Sequence, residues 1–243
     1  MLCVLILALD TSDARGGVAL LRDTALLHTE PHATDEDYSS WLLPAVARTL
    51  ATANLNMRDV DLYAVAAGPG SFTGVRVGLT TVKAWSEVYA RPIAAVSRLE
   101  ALAAEGTASA PYVAAFIDAR RDQIFAALYR RQGETLERID EEMVIAPDKF
   151  LDWCIVEAGS AHIDWVSTDP RCLTQTQPWS SRLDLHESVQ PVPPLLAPRI
   201  GHIGYRLAQR NQLTDALTLD ANYVRRSDVE LFGKGSSRHG AGK

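Results

Sequence analysis

The sequence predicts an α/β fold made of two related halves. Short apolar runs typical of buried strands alternate with segments in which apolar residues recur every three or four positions, as in helices. Residues 112–130 align without a gap on residues 4–22, so that Asp118 falls on Asp10, which indicates an internal repeat. A chain of 243 residues has room for two halves of about 100 residues each.

The first half is predicted to begin with three strands joined by turns. A helix follows, with Asp35 and Asp37 near its start and a kink expected at Pro44. The apolar run VDLYAVAA then leads through a glycine-rich loop into a second helix. The predicted strands are residues 2–9, 16–22, 24–29, 60–67 and 92–97, and the predicted helices are residues 34–54, 74–90 and 97–106.

The second half has weaker patterns. After the repeat, strands are predicted near 142–146 and 155–158, with a short helix from Pro147 to Trp153 between them. The proline-rich stretch QPVPPLLAP, residues 190–198, is interpreted as a linker before the helix IGHIGYRLAQRN. The predicted units are therefore residues 1–108, a smaller half at 109–194, a C-terminal helix and extension at 195–231 that packs back on the body, and a disordered tail at 232–243.

The composition is that of an ordinary globular protein, with 47% hydrophobic and 22% charged residues. The net charge of −6 argues against a chain that grips nucleic acid alone, because such binding depends on clustered Lys and Arg. The apolar opening MLCVLILALD lacks the basic start of a signal peptide, and we expect no membrane span and a cytoplasmic protein. Cys3, Cys154 and Cys172 are too widely spaced for a zinc cluster.

The loop GPGSFTG, residues 68–74, has two interpretations. Glycines before a helix expose backbone N–H groups at the positive end of the helix dipole, and Ser71 and Thr73 add hydroxyl donors, so the loop has the build of an anion site. It matches neither the dinucleotide fingerprint nor the Walker loop. The alternative is a tight turn in which Gly68, Gly70 and Gly74 allow close packing.

Asp10, Thr11 and Ser12 end the first predicted strand and form a second candidate constellation. A carboxylate beside hydroxyl groups can hold a hydrated Mg²⁺ near phosphates. Asp118 is expected to face Asp10 from the other half. The alternative is that each aspartate caps its own turn through its side chain.

No catalytic centre is apparent from the sequence. His28 and His32 have the spacing H-x-x-x-H, but Pro31 lies between them, so we expect no shared helical face and no metal site. No Ser-His-Asp arrangement or nucleophile elbow is present.

The first two long helices each carry an apolar, aromatic-rich face. Each face is explained by packing against the core, yet aromatic residues are also enriched where proteins bind one another. The candidate interface residues are Tyr38, Trp41, Leu42 and Ala45 on the first helix, and Val75, Leu79, Val82, Trp85 and Tyr89 on the second.

Several stretches together resemble one known family. These are ILALDTS at 6–12, GPGSFTGVRVG at 68–78, AVSRLEAL after PIA, IDARRDQIFAALY at 117–129 and YVRRSD at 223–228. The sequence resembles the bacterial TsaB (YeaZ) family of tRNA threonylcarbamoyladenosine biosynthesis proteins over nearly the whole chain. It departs from the family at Asp122, where glycine is usual.

The resemblance implies an actin-like (ASKHA), duplicated ribonuclease-H-like fold, in which each half is a mixed sheet flanked by helices. It implies a non-catalytic subunit that dimerises when alone and supports a catalytic TsaD paralogue, with the small ATPase TsaE joining them. That assembly transfers a threonylcarbamoyl group from threonylcarbamoyl-AMP to N6 of adenosine 37 in tRNA, and tRNA is reached only through the complex. In the family the first two helices form both the homodimer and the TsaD contact, which corresponds here to residues 35–53 and 74–90.

A second function remains open from the residues alone. A kinase or nucleotide hydrolase of the same fold would use Mg²⁺ and ATP through Asp10, Asp118 and the loop at 68–74, but no general base can be nominated. We expect no tightly bound cofactor, and at most weak ATP and Mg²⁺ binding within a complex.

Overall fold

The computed structural model describes residues 3–33, 35–107, 109–133, 135–180, 188–222 and 224. The predicted disordered tail, residues 232–243, and all of the motif YVRRSD except Val224 lie outside these ranges. Within the described ranges, no helix is long and apolar enough to cross a membrane.

The first half is built on a mixed sheet of five strands: β1 (Leu5–Asp10), β2 (Gly17–Arg22), β3 (Ala25–Pro31), β4 (Leu62–Gly68) and β5 (Ile93–Ser97). Their order in the sheet is β3-β2-β1-β4-β5. The first three strands pair antiparallel as a meander, whereas β4 and β5 run parallel to β1. The parallel pairing brings the carboxyl ends of β1 and β4 to the same edge, and this edge carries Asp10 and the glycine loop.

Three helices accompany this sheet: α1 (Tyr38–Thr52), α2 (Phe72–Tyr89) and α3 (Arg98–Ala103), with a short 3-10 helix at Met57–Asp59. Side chains alternate between the two faces of each strand. Leu5, Leu7 and Leu9 of β1 therefore pack with α1 and α2, while Ile6 and Ala8 contribute to a different core cluster on the opposite face.

The second half contains a mixed sheet whose strands are β6 (Tyr112–Arg120), β7 (Gln123–Gln132), β8 (Thr135–Arg138), β9 (Met143–Ile145), β10 (Ile163–Ser167) and β11 (Val189–Pro191). Their order is β11-β10-β6-β7-β8, and β9 pairs with β7. The outer face of this sheet packs on α4 (Pro147–Ala158), α5 (Arg171–Thr174) and α6 (Gln177–Ser180) through Phe116, Phe150 and Trp165.

A middle layer joins the two halves. Helix α3 contacts β4 and β5 of the first sheet and β6, β7 and β10 of the second, and α7 (Ala197–Gln209) lies on the first sheet. Small residues let α7 approach closely, since a Cβ atom on Gly201 would lie 2.3 Å from Leu21 Cδ1 and one on Gly204 would lie 2.7 Å from Ala64 Cβ. One apolar cluster includes residues of both sheets, so the layers run α/β/α/β/α.

The predicted repeat corresponds to two antiparallel hairpins, β1–β2 and β6–β7, but they are not equal in length. Asp10 pairs with Gly17 seven positions later, whereas Asp118 pairs with Ile124 six positions later. The alignment without a gap therefore holds for the first strand of each hairpin and is wrong by one residue after the turn.

One predicted strand is wrong. Residues 155–158 continue helix α4, because Phe150, Leu151, Cys154 and Ala158 recur at helical spacing on its buried face. The strand of this region is β10, five residues later, and the proline-rich stretch contributes Gln190 and Pro191 to β11.

Candidate functional site

The glycine-rich loop joins the carboxyl end of β4 to helix α2. Gly68 has a φ of +111°, a conformation that side chains other than glycine rarely adopt. Ser71 is the N-cap of α2, and its hydroxyl group accepts a hydrogen bond from the N–H of Gly74 at 3.3 Å. The N–H of Ser71 donates to the carbonyl of Ser12 at 2.7 Å. The loop is thus hydrogen-bonded to the turn that follows β1.

Close packing against that turn accounts for the next glycines. A Cβ atom on Gly70 would lie 2.4 Å from the Ser12 carbonyl oxygen, and one on Gly74 would lie 2.0 Å from the Thr11 carbonyl oxygen. The Thr11 hydroxyl also donates to the carbonyl of Gly74 at 2.7 Å. This geometry gives the glycines the packing role that the sequence left as an alternative, while anion binding by Ser71 and Thr73 stays a prediction.

Asp10 lies beneath this pair of loops and is fully buried. Its Oδ1 atom accepts hydrogen bonds from the backbone N–H of Ser12 at 3.0 Å and from the Ser12 hydroxyl at 2.5 Å. In the second half, Asp118 Oδ1 accepts from the N–H of Arg120 at 2.7 Å. Both aspartates therefore bond to the residue two positions on, which is the turn-capping arrangement.

A buried arginine provides the charge partner of Asp10. Arg98, the first residue of α3, is 1% exposed, and its Nε atom lies 3.5 Å from Asp10 Oδ2. Its Nη2 atom lies 3.1 Å from Asp13 Oδ2. Burial disfavours the charged form of Asp13, but Arg98 and Arg15 outweigh this effect and lower the pKa of the Asp13 carboxyl.

The ion pairs continue from Asp13 into the second half. Arg15 lies 3.1 Å from Asp13 and, through Nη2, 3.0 Å from Asp169, which follows β10. Burial, Asp118 and Asp169 together raise the pKa of the Cys172 thiol to about 11. We refer to the region around Asp10, Asp13, Asp118 and Asp169 as the cleft, and each of these acids is paired with an arginine of the same chain.

Most of the nine predicted interface residues form the core rather than the surface. Tyr38, Trp85 and Tyr89 are partly buried and pack against the cluster under α1 and α2. The other six are at most 5% exposed and belong to the core beneath the two helices, so any part they play in binding a partner stays a prediction: Trp41, Leu42, Ala45, Val75, Leu79 and Val82.

The outward faces of α1 and α2 enclose a groove of about 520 Å³. Leu43 is 58% exposed and Phe72 is 43% exposed, and both line it. The Arg76 guanidinium lies 3.7 Å above the centre of the Phe72 ring. The remaining lining residues are Tyr38, Ser39, Leu42, Thr73, Val77, Thr80 and Thr81.

Tyr38 connects this groove to the charged turn. Its hydroxyl donates to the carbonyl of Asp13 at 2.5 Å and accepts from the N–H of Gly16 at 3.1 Å. Its ring stacks on His32 at 3.9 Å. Burial and the nearby Asp10 raise the pKa of the Tyr38 hydroxyl, so it stays protonated. Tyr38 thus both lines the groove and is hydrogen-bonded to the turn that carries Asp13.

Sequence reasoning missed the arginine pairs and the exposed groove residues. Arg98 lies in the quoted stretch AVSRLEAL, but nothing local distinguishes a buried arginine from an exposed one. Leu43 could have been suspected, because Trp41, Leu42 and Leu43 are three successive apolar residues and span about 200° of a helix, wider than one buried stripe, although the sequence does not say which of them faces outward.

Two α/β units in a duplicated five-layer arrangement, with an aspartate at the end of the first strand of each unit, define a protein of the actin-like (ASKHA), ribonuclease-H-like class. A family model described as "TsaD: tRNA N6-adenosine threonylcarbamoyltransferase" matches residues 28–181. The chain therefore belongs to this family.

Named relatives agree with the resemblance to TsaB and YeaZ, which is confirmed. The chain is 36% identical over 150 residues to "tRNA threonylcarbamoyladenosine biosynthesis protein TsaB" of Bacillus subtilis, which covers 61% of this chain and 63% of that protein. It is 33% identical over 147 residues to the TsaB of Escherichia coli, covering 59% and 63% respectively. The matched part is thus less than two thirds of the length of these relatives.

A solved structure extends the likeness to nearly the whole chain. "YeaZ from Pseudomonas aeruginosa" superposes with a TM-score of 0.71 at 27% identity, covering 90% of this chain and 99% of that one. None of the proteins named here is a kinase or a nucleotide hydrolase, so the alternative function is not favoured.

Proposed function

We propose that this chain is a non-catalytic subunit in the biosynthesis of threonylcarbamoyladenosine in tRNA. It serves as the partner of a TsaD-like catalytic subunit in the cytoplasm, together with a TsaE-like ATPase, and contacts tRNA only within that assembly. The names of the TsaB relatives support the pathway, and the net charge of −6 supports indirect contact with tRNA.

The observation that carries the proposal is the groove between α1 and α2. Its exposed Leu43 and Phe72 provide apolar area that a partner can bury, while Arg76 and Thr80 provide polar groups at its border. Interfaces combine an apolar centre with a polar rim in this way. The occupant we assign to it is the TsaD-like subunit, and in its absence a second copy of this chain takes the same place.

We assign the catalytic chemistry to the TsaD-like subunit. Among the described residues, no group of three or more His, Cys, Asp or Glu side chains is placed to hold a metal ion. The Asp10 carboxylate accepts a hydrogen bond from Ser12 and lies next to Arg98, and the Asp118 carboxylate accepts a hydrogen bond from the backbone N–H of Arg120. We therefore propose that any ATP and Mg²⁺ in the assembly are held mainly by the other subunits.

The test is capture of the TsaD-like subunit from the same organism by the purified chain. Leu43→Asp introduces a charge at an exposed position of the groove, so it leaves the core intact and should weaken capture at least about tenfold. Phe72→Asp should act similarly. The matched control is Val156→Asp, which introduces the same charge at a position of α4 that is 77% exposed and distant in sequence.

Each outcome is informative. Loss of capture by Leu43→Asp and Phe72→Asp, with unchanged circular dichroism and unchanged capture by Val156→Asp, supports the groove as the interface. Normal capture by both groove variants overturns the assignment of the groove. Failure of the unaltered chain to bind the TsaD-like subunit, or tRNA modification by this chain alone, overturns the proposed function.

A further inference from the structure

We infer that Arg98 is the resident cation of the cleft: its guanidinium takes the place at Asp10 that a divalent metal ion would need. Asp10 ends the first strand beside two hydroxyl residues and the glycine loop, which is the setting in which a carboxylate holds a hydrated Mg²⁺ near phosphates. The residues present in this chain do not fit that ion.

Both oxygen atoms of the Asp10 carboxylate face groups of this chain, one through hydrogen bonds and the other through an ion pair. Its Oδ1 atom receives both bonds from Ser12, and its Oδ2 atom faces Arg98 Nε at 3.5 Å. That oxygen accepts no hydrogen bond from the described residues, so its compensation is electrostatic. A buried carboxylate requires a positive partner, because an isolated buried charge is strongly unfavourable.

Arg98 supplies the positive charge that the buried Asp10 carboxylate requires, and it does so permanently. Its side chain is 1% exposed, and it reaches Asp10 and Asp13 at once. A guanidinium is protonated at all ordinary pH values, and because it is covalently attached to the chain its presence does not depend on the metal concentration of the solution.

The surroundings also exclude a hydration shell. Magnesium usually keeps several water ligands, which need space. Thr11 and Ser12 are at most 2% exposed, and the glycine loop lies directly against them. Helix α2 is equally close, since a Cβ atom on its residue Gly78 would lie 2.4 Å from the Thr11 hydroxyl oxygen. Neither a hydrated metal ion nor a phosphate group has access to Asp10 while the buried Arg98 side chain occupies the space beside it.

The first test is binding of Mn²⁺ by the full-length chain, followed by electron paramagnetic resonance of the free ion. The unaltered chain and the Asp10→Asn variant should give the same weak, non-specific uptake. Uptake by the unaltered chain that Asp10→Asn abolishes would overturn the inference.

The second test removes the guanidinium. Arg98→Ala leaves Asp10 without its counter-ion, so the variant should bind Mn²⁺ at least about tenfold more tightly than the unaltered chain. Its Tm should rise on addition of Mn²⁺ or of free guanidinium ion at concentrations that leave the Tm of the unaltered chain unchanged. The matched control is the double variant Asp10→Asn, Arg98→Ala, which lacks both charges and should show neither response.

The interpretation does not depend on the stability of Arg98→Ala. If this variant folds only in the presence of Mn²⁺ or guanidinium, the cation requirement is supported directly. If it folds without them and shows no increase in cation binding, the inference is overturned. If Arg98→Ala remains unfolded under all conditions, Arg98→Gln is subjected to the same comparison, and equal Mn²⁺ binding by Arg98→Gln and the unaltered chain overturns the inference.

Discussion

Arg15 Nη2 lies 3.0 Å from Asp169 Oδ2, and this ion pair joins the turn after β1 to the segment after β10. The two residues are 154 positions apart, so the contact links the two halves of the chain. It is the outermost contact of a series that runs inward from Asp169 through Arg15 and Asp13 to Arg98 and Asp10.

We predict that this ion pair contributes little to stability. Arg15 and Asp169 are 37% and 34% exposed, so solvent and salt screen their attraction. A double-mutant cycle with Arg15→Ala and Asp169→Ala should give a coupling of about 0.2–1 kcal/mol at low salt that shrinks at high salt. Urea unfolding measures it. The control is Arg48→Ala, because Arg48 pairs with Glu30 rather than with Asp169. Its effect on the free energy of unfolding should add to that of Asp169→Ala without coupling. A coupling well above this range at high salt would contradict the prediction.

Gly74→Ala should destabilise the protein by about 1–3 kcal/mol, since the new Cβ atom would lie 2.0 Å from the carbonyl oxygen of Thr11 and the two loops must separate. The gain in helix propensity from alanine is smaller, at most about 1 kcal/mol. Thr73→Ala, at the adjacent exposed helix position, is the control and should change stability little. Equal unfolding free energies for Gly74→Ala and the unaltered chain would show that the loops are not packed as described.

The free energy of unfolding should fall as the pH rises above about 4.5, because Glu142 then loses a proton that the folded state binds more tightly than the unfolded state. Burial raises the pKa of this carboxyl, although hydrogen bonds from Ser97 and Asn222 partly oppose the shift. The folded state therefore binds the proton more tightly than the unfolded state, and the stabilisation is lost through the window between the unfolded and folded pKa values.

The measurement is the free energy of unfolding at intervals from about pH 4 to about pH 8. Glu142→Gln has no titrating group at this position, so its stability should depend less on pH in that window. Only the slope is diagnostic, because glutamine has one acceptor oxygen where Glu142 has two, so it cannot accept the hydrogen bonds that Ser97 Oγ and Asn222 Nδ2 both donate. Glu141→Gln, at the exposed neighbouring position, should leave the slope unchanged. Identical slopes for Glu142→Gln and the unaltered chain would refute the prediction.

Asp122→Gly should stabilise the β6–β7 hairpin. Arg121 and Asp122 form its two-residue loop and have φ values of +57° and +56°, which glycine adopts without steric cost. The expected increase is up to about 1 kcal/mol in unfolding free energy. Asp122→Ala should have the opposite sign, because alanine tolerates this conformation less well than aspartate. A stabilising alanine would contradict the backbone conformation described.

Local patterns predicted most of the elements around the cleft. The strands at β1, β4 and β5 and the helix α2 are long, regular apolar patterns whose type follows from spacing alone. The segment 155–158 was misread because Ile155 and Val156 favour strands locally, whereas burial of Phe150 and Cys154 on the same helix decides the outcome.

The site was predicted only in part, for a physical reason. Spacing along a helix identifies an apolar stripe but not what covers it, and here the sheet covers Leu42 and Val75 while Leu43 faces outward. The pairing of Arg98 with Asp10 connects residues 88 positions apart and depends on how α3 meets β1, so no local pattern encodes it.

The position of α7 has a consequence for synthesis. The ribosome synthesises the five strands of the first sheet long before it reaches residues 197–209. Gly201 and Gly204 of that later segment nevertheless pack against Leu21 and Ala64 of the sheet. During translation this face of the first sheet therefore stays incompletely covered until α7 has been synthesised, and the apolar surface exposed over that interval is prone to aggregation.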